Sequence, residues 1–109
     1  MRPSLRIALL LACVTGCTSS PTSTGIATVT CPTDSTLTYE NFGSAFMTDN
    51  CLSCHTSQEQ PHLNTQALIQ TNASRILQEA VYTNAMPQDG DLTTAERQTL
   101  GEWLACGAP

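Results

Sequence analysis

Cys51-Leu52-Ser53-Cys54-His55 is the stretch that decides how this sequence is read. It sets two thiols one helical turn apart and follows them at once with an imidazole. A pair of this kind serves thiol–disulfide exchange, structural zinc, or attachment of a prosthetic group. An exchange pair of the thioredoxin kind needs a βαβ context, and no run of β-branched residues precedes Cys51. A structural zinc site needs four ligands, and the chain has neither a second C-x-x-C nor an H-x-H pair to complete one.

Around this stretch the composition is unusual. The chain has 109 residues, enough for one small domain, and six of them are cysteine. It carries 4 Lys+Arg against 9 Asp+Glu, a net charge of -5, and its basic residues are Arg2, Arg6, Arg75 and Arg97, with no lysine. Phosphate contacts need a basic face, so a nucleic-acid binder is excluded. Only 5% of residues are aromatic and 12% charged, which suits neither a charge-rich disordered tail nor a domain with an ample aromatic core. Something besides ordinary side chains is expected to help hold the domain together.

An isolated C-x-x-C-H run in such a chain reads as a c-type haem attachment site. Two thiols at this spacing can each add to one vinyl group of the porphyrin edge, and the next residue then directs its imidazole to the iron. The apolar faces of the haem supply the core that the aromatic-poor chain lacks. Cys51 and Cys54 are therefore the candidate covalent attachment points of one haem c, and His55 is a candidate axial ligand of its iron.

The amino terminus reads as an export signal over residues 1–16. Arg2 and Arg6 form its positive start and Ile7 to Val14 its apolar run, too short for a bilayer that needs roughly 20 residues. Val14-Thr15-Gly16-Cys17 resembles the lipobox of bacterial lipoproteins, which implies cleavage before Cys17 and lipidation of that cysteine; a plain signal peptide with an incidental cysteine is the alternative. Cleavage there leaves 2 basic and 9 acidic side chains, a net charge of -7. Residues 17–30 have the Ser/Thr-rich composition of a tether, with eight Ser or Thr among positions 18 to 30. Thirteen such residues have a root-mean-square span of about 20 Å. A short strand over Ile26 to Thr30 is the competing reading. The domain itself is assigned to residues 31–109.

The flanks of the motif read as helices. Thr38 to Asn50 places Tyr39, Phe42 and Phe46 on one face, with Ala45 filling the same general face. Thr93-Thr94-Ala95-Glu96 is a capping box opening a helix whose stripe of Leu100, Trp103 and Leu104 ends at Gly107. Between them, Asn72 and Ser74 are candidate caps for a helix carrying Ile76, Leu77, Ala80 and Val81, and Thr65 to Gln70 is a candidate short helical turn. The expected fold class is all-α.

Gly43, Met47, Cys51, Cys54 and His55, then Leu100, Trp103 and Leu104, stand at spacings similar to the two helix signatures of class I cytochromes c. The sequence departs from that pattern at Met47, where an aromatic is usual, with Phe46 beside it. The resemblance covers roughly residues 36 to 106. It implies a small cytochrome c fold, three to four helices wrapped around one covalently attached haem. It also implies a close crossing of the first and last helices, with Gly43 against Trp103.

The second axial ligand decides whether such a haem carries electrons or binds small molecules. Met86, followed by Pro87 in a stretch similar to the family's methionine loop, is the leading candidate; His62, in the polar loop after the motif, is its rival. The other ring nitrogen of His55 needs an acceptor, for which the Pro61 carbonyl is a candidate. With Cys13 in the signal, Cys17 lipidated and two cysteines on haem, Cys31 and Cys106 remain. They lie at the two ends of the domain, where the expected helix crossing permits a disulfide in an exported protein. Arg75 and Arg97 are each expected on a solvated helix face, with pairing to a haem propionate as the alternative.

These readings converge on an electron carrier rather than an enzyme: a monomeric cytochrome, lipid-anchored at the periplasmic side of a bacterial membrane or at the cell surface, working with redox partner proteins. Two other classes compete with it. One is a haem-based sensor or peroxidase-like protein with an open distal site. The other is a non-haem lipoprotein that uses the C-x-x-C pair for thiol–disulfide exchange.

Overall fold

The computed structural model describes residues 25–88 and 92–109; the expected signal segment, Cys17 and the first part of the tether lie outside them. Among the described residues the chain is helical and has no strand. Helix α1 opens as a wide π-helical turn, Tyr39–Gly43, and continues as Ser44–Asn50. Helix α2 is the short Leu52–His55, and α3 is Gln66–Thr71. Helix α4, Ala73–Ile76, widens into a π-helical end, Leu77–Tyr82, and α5 is Thr94–Ala105. The all-α expectation therefore holds among the described residues, with five helices where three to four were expected: α3 matches the candidate turn at Thr65 to Gln70, and α2 is the added one.

The helix starts follow from side-chain caps. Thr38 and Asn41 form a reciprocal capping box at α1, with Thr38 N–H donating to Asn41 Oδ1 at 2.8 Å and Asn41 N–H to Thr38 Oγ1 at 3.1 Å. Thr93 and Glu96 do the same at α5, as the sequence predicts. Thr65 accepts from Leu68 N–H at α3. Asn72 holds the cap position of α4 without a capping bond, its amide donating instead to Leu68 O at 2.8 Å. Helix α5 stops at Gly107, whose φ of +91° suits glycine, and the Gly107 and Ala108 N–H groups close back on Leu104 O and Trp103 O.

The core is built where α1, α4 and α5 meet. Trp103, Leu100 and Val81 are fully buried, with Met47 and Ile69 almost so. The Trp103 indole lies directly against Gly43, where a Cβ would overlap three atoms of its ring. Phe42 packs edge-on against the same indole, centroids 5.7 Å apart, and Phe46 stacks tilted on Phe42 at 5.1 Å. The expected Gly43–Trp103 crossing is thus present, and Met47 takes a core position. Ala45 is exposed, contrary to expectation: Gly43, Phe46 and Met47 are the residues buried along this helix, and Ala45 falls outside the face they define.

Covalent and polar ties hold the ends of the domain. Cys31 and Cys106 form the expected disulfide, with Cα atoms 4.7 Å apart, and Ser35 Oγ donates to Glu102 Oε1 at 2.6 Å beside it. Gln66 and Gln70 both donate to Ala108 O at 3.1 Å, while the Trp103 indole N–H and Tyr39 N–H reach Pro109 O. The packed chain also begins earlier than the assigned boundary at residue 31. Ile26 N–H donates to Val81 O at 2.7 Å, and Val29 rests on Gly101. Two β-branched apolar side chains among threonines gain more from covering α4 and α5 than from hydration, so they leave the tether; they form no strand.

Candidate functional site

The motif occupies the joint between α1 and α2. Cys51 N–H closes the last turn of α1 on Met47 O at 2.9 Å, and His55 N–H then bonds Cys51 O at 3.0 Å. That single turn brings both thiols and the imidazole to one end of the two helices. Cys51 is half-buried, Cys54 is exposed, and neither is in a disulfide. Burial pushes the Cys51 thiol up to about 11, so it stays protonated at neutral pH.

The loop after α2 folds back on His55 at two points. Leu63 N–H donates to His55 O at 2.8 Å, and the ring Nδ1 lies 2.9 Å from Pro61 O, the acceptor anticipated from sequence. A carbonyl only accepts, so this bond requires the proton on Nδ1 and leaves the Nε2 lone pair free.

Met86 arrives from the other end of the domain, on the loop after α4. Its N–H donates to Glu79 O at 2.9 Å, which folds the loop back onto the π-helical end of α4. Thr83 supports the same fold, its hydroxyl donating to Gln78 O and Glu79 O at 3.0 Å each.

His55 and Met86 face a common cleft. Its inner part, a cavity of about 230 Å³, is walled by Leu63, Ile76, Ala80, Leu92 and Leu100. Its outer part, about 380 Å³, reaches Cys54 and a rim of Ser53, Gln58 and Gln88. Cys51, His55 and Met86 line both parts. Four expected site residues, Cys51, Cys54, His55 and Met86, are therefore brought together from two separate segments of chain.

Comparison of the chain with protein-family models, curated proteins and solved structures finds no match. The donor set itself is thus the chemical guide. An imidazole nitrogen and a thioether sulfur beside two free thiols, on an inner wall that is mainly apolar with Arg75 and Glu79 at its border, suit a flat apolar group carrying a borderline-soft metal. No cluster of three or more His, Cys, Asp or Glu able to hold a bare ion exists among the described residues. The residues present therefore fit a covalently attached haem.

His62 is not among the residues that line the cleft; its Nε2 lies 3.2 Å from the Gln60 amide nitrogen. It follows Pro61, the residue that anchors His55, which ties it to the loop on the His55 side. Arg75 is exposed and borders the inner cavity. Arg97 corrects the expectation of a solvated face, being only 4% exposed. Its Nη1 donates to Ala80 O at 2.6 Å and Met86 O at 3.1 Å, with a longer contact to Thr83 O at 3.4 Å. The signal was available in the register: Arg97 precedes Leu100 and Leu104 by three and seven residues and so shares their face of α5. Leu63 and Leu92, both buried wall residues, were missed because a lone apolar residue in a loop has no periodicity to reveal it.

Proposed function

We propose that this protein is a monohaem c-type cytochrome, membrane-tethered through Cys17, that passes single electrons between redox partners of the bacterial cell envelope. The observation that carries the reading is the convergence of Cys51, Cys54, His55 and Met86 on one cleft with a mainly apolar inner part and a polar rim, within a helical domain. A small cytochrome c fold is the form of the all-α architecture that this cleft favours.

When bound, the haem supplies an iron that gains or loses one electron. Cys51 and Cys54 hold the group by thioether bonds, which prevents its loss by dilution. His55 would hold it through Nε2 in a fixed orientation, because the Pro61 carbonyl restrains the ring. Met86 would hold it through its thioether, on a loop tied to α4, and with His55 and Met86 both engaged the group would take no substrate. Leu63, Ile76, Leu92 and Leu100 keep water from the inner part of the cleft, which favours the less charged state of the site.

The rim suits brief encounters with a partner. Ser53, Gln58, Gln60 and Gln88 surround the exposed Cys54 with uncharged polar groups, Glu59 adds one negative charge to them, and the chain has no lysine with which to build a basic docking ring. A partner with a basic surface, or one making a largely apolar contact at this rim, is the complement.

Absorption spectra of the mature protein made in a haem-attaching host test the reading. Covalent low-spin haem with a weak red methionine-to-iron band is expected. Absence of covalent haem refutes it, and high-spin spectra with rapid carbon monoxide binding assign the protein to the sensor class instead.

A further inference from the structure

A guanidinium buried in a chain this small is a costly group to place, and its partners say what it does. The Arg97 acceptors are backbone carbonyls, and they are drawn from one short segment: Ala80 in the last turns of α4, Thr83 just after it, and Met86 itself. The carbonyls at a helix end have no partner within the helix, so a cation there answers both the orphaned groups and the negative end of the helix dipole. Nη1 has two hydrogens for three acceptors, which makes the 3.4 Å contact to Thr83 a shared one. One guanidinium nitrogen of a buried side chain on α5 therefore holds the loop after α4 at its start and at Met86. Arg97 is absent from the lining of the cleft, so it acts through Met86 rather than on anything bound there.

We propose that Arg97 is a positioning residue that latches the Met86 loop over the cleft. Where Met86 serves as an axial ligand, as in the function proposed above, the latch keeps that coordination position closed. The chain offers no lysine to take the place of a departed methionine, and His62 belongs to the loop on the other side. Opening the latch therefore converts a closed electron carrier into a site that takes an external ligand.

Two hydrogen-bonded amides give a readout that does not depend on haem. Met86 N–H bonds Glu79 O and ties the latched loop to α4, while Leu63 N–H bonds His55 O on the His55 side of the cleft. In the mature full chain, Arg97→Gln is expected to speed exchange of the Met86 amide by about tenfold or more while leaving Leu63 unchanged, since it removes charge-assisted bonds from that loop and the end of α4 and none from the His55 side. Arg97→Lys, which keeps a cationic donor, recovers part of the protection. Leu104→Ala, a core change away from the cleft, marks the pattern of general destabilisation, in which the Met86 amide is not singled out. In the haem-loaded protein, Arg97→Gln is expected to lose the red methionine-to-iron band and to bind carbon monoxide in the reduced state about tenfold faster or more. Unchanged Met86 exchange in Arg97→Gln, or equal acceleration at Met86 and Leu63, overturns the latch. So does a haem-loaded Arg97→Gln protein that keeps both the band and the slow carbon monoxide reaction. Failure of the chain to attach haem overturns the proposed function instead, and leaves the amide-exchange test of the latch intact.

Discussion

Gly43→Ala is the most direct test of the helix crossing. A methyl group at this position would overlap Cζ2, Cη2 and Cε2 of the Trp103 ring. The indole has nowhere to go: it is fully buried, Phe42 meets it edge-on, and its N–H is bonded to Pro109 O at 3.3 Å. Overpacking of this kind costs about 1–3 kcal/mol, and a clash with a fixed ring belongs at the upper end. Replacing a helical glycine returns up to about 1 kcal/mol through backbone entropy, so the net loss is about 1–2 kcal/mol. For a domain of this size that corresponds to a melting point lower by roughly 4–16 °C. The assay is thermal unfolding followed by circular dichroism, run beside Gly43→Ala/Trp103→Leu. The smaller side chain makes room for the methyl group, so the double variant should lose less than the sum of the single losses. A Gly43→Ala protein as stable as the wild type would refute the close crossing.

Three further outcomes follow from the same structure. Peptide mapping without reductant should recover Cys31 and Cys106 in one linked species, and Cys31→Ser should lower stability by up to roughly 4 kcal/mol, as expected for a loop this long. Glu96 accepts from the Thr93 backbone N–H and from its hydroxyl, and these bonds, with Arg97 a lesser contributor, hold its carboxyl below the ordinary glutamate value. Its cap contribution is therefore complete above the unfolded glutamate value and lost as pH falls through the lower folded one; acid titration of stability should show that loss in the wild type and not in Glu96→Gln. Met86→Ala should abolish the red band of the haem-loaded protein, and an unchanged ligand spectrum would remove Met86 from the site.

Local chemistry made the motif legible. The spacing of Cys51, Cys54 and His55 encodes its own geometry, because one helical turn suffices to bring the three groups together. Gly43 and Trp103 were readable through helical spacing within each segment, and their contact through the resemblance of both spacings to the class I cytochrome c signatures. Cys31 and Cys106 emerged once the other cysteines had roles. Arg97 was misread because a charged letter on a helix signals solvent by default, and only its register against Leu100 and Leu104 says otherwise. The wide turns at Tyr39–Gly43 and Leu77–Tyr82 left no trace, since spacing of apolar residues tolerates one extra residue per turn without losing its stripe. The docking of Val29 on Gly101 was obscured by its setting: a valine among threonines has tether composition until a surface exists for it to cover.

The bridge between Cys31 and Cys106 also gives the domain a mechanical character. Residues 31 to 106 form a closed covalent loop, and the arm that precedes Cys31 joins it at the same point where the loop is sealed. A pull on that arm first peels Ile26 and Val29 from the helices, a reversible extension opposed by one backbone bond and two apolar contacts. Beyond that, tension passes into the sealed junction rather than along the helices, so the arm yields like a spring while the loop that carries the cleft keeps its shape.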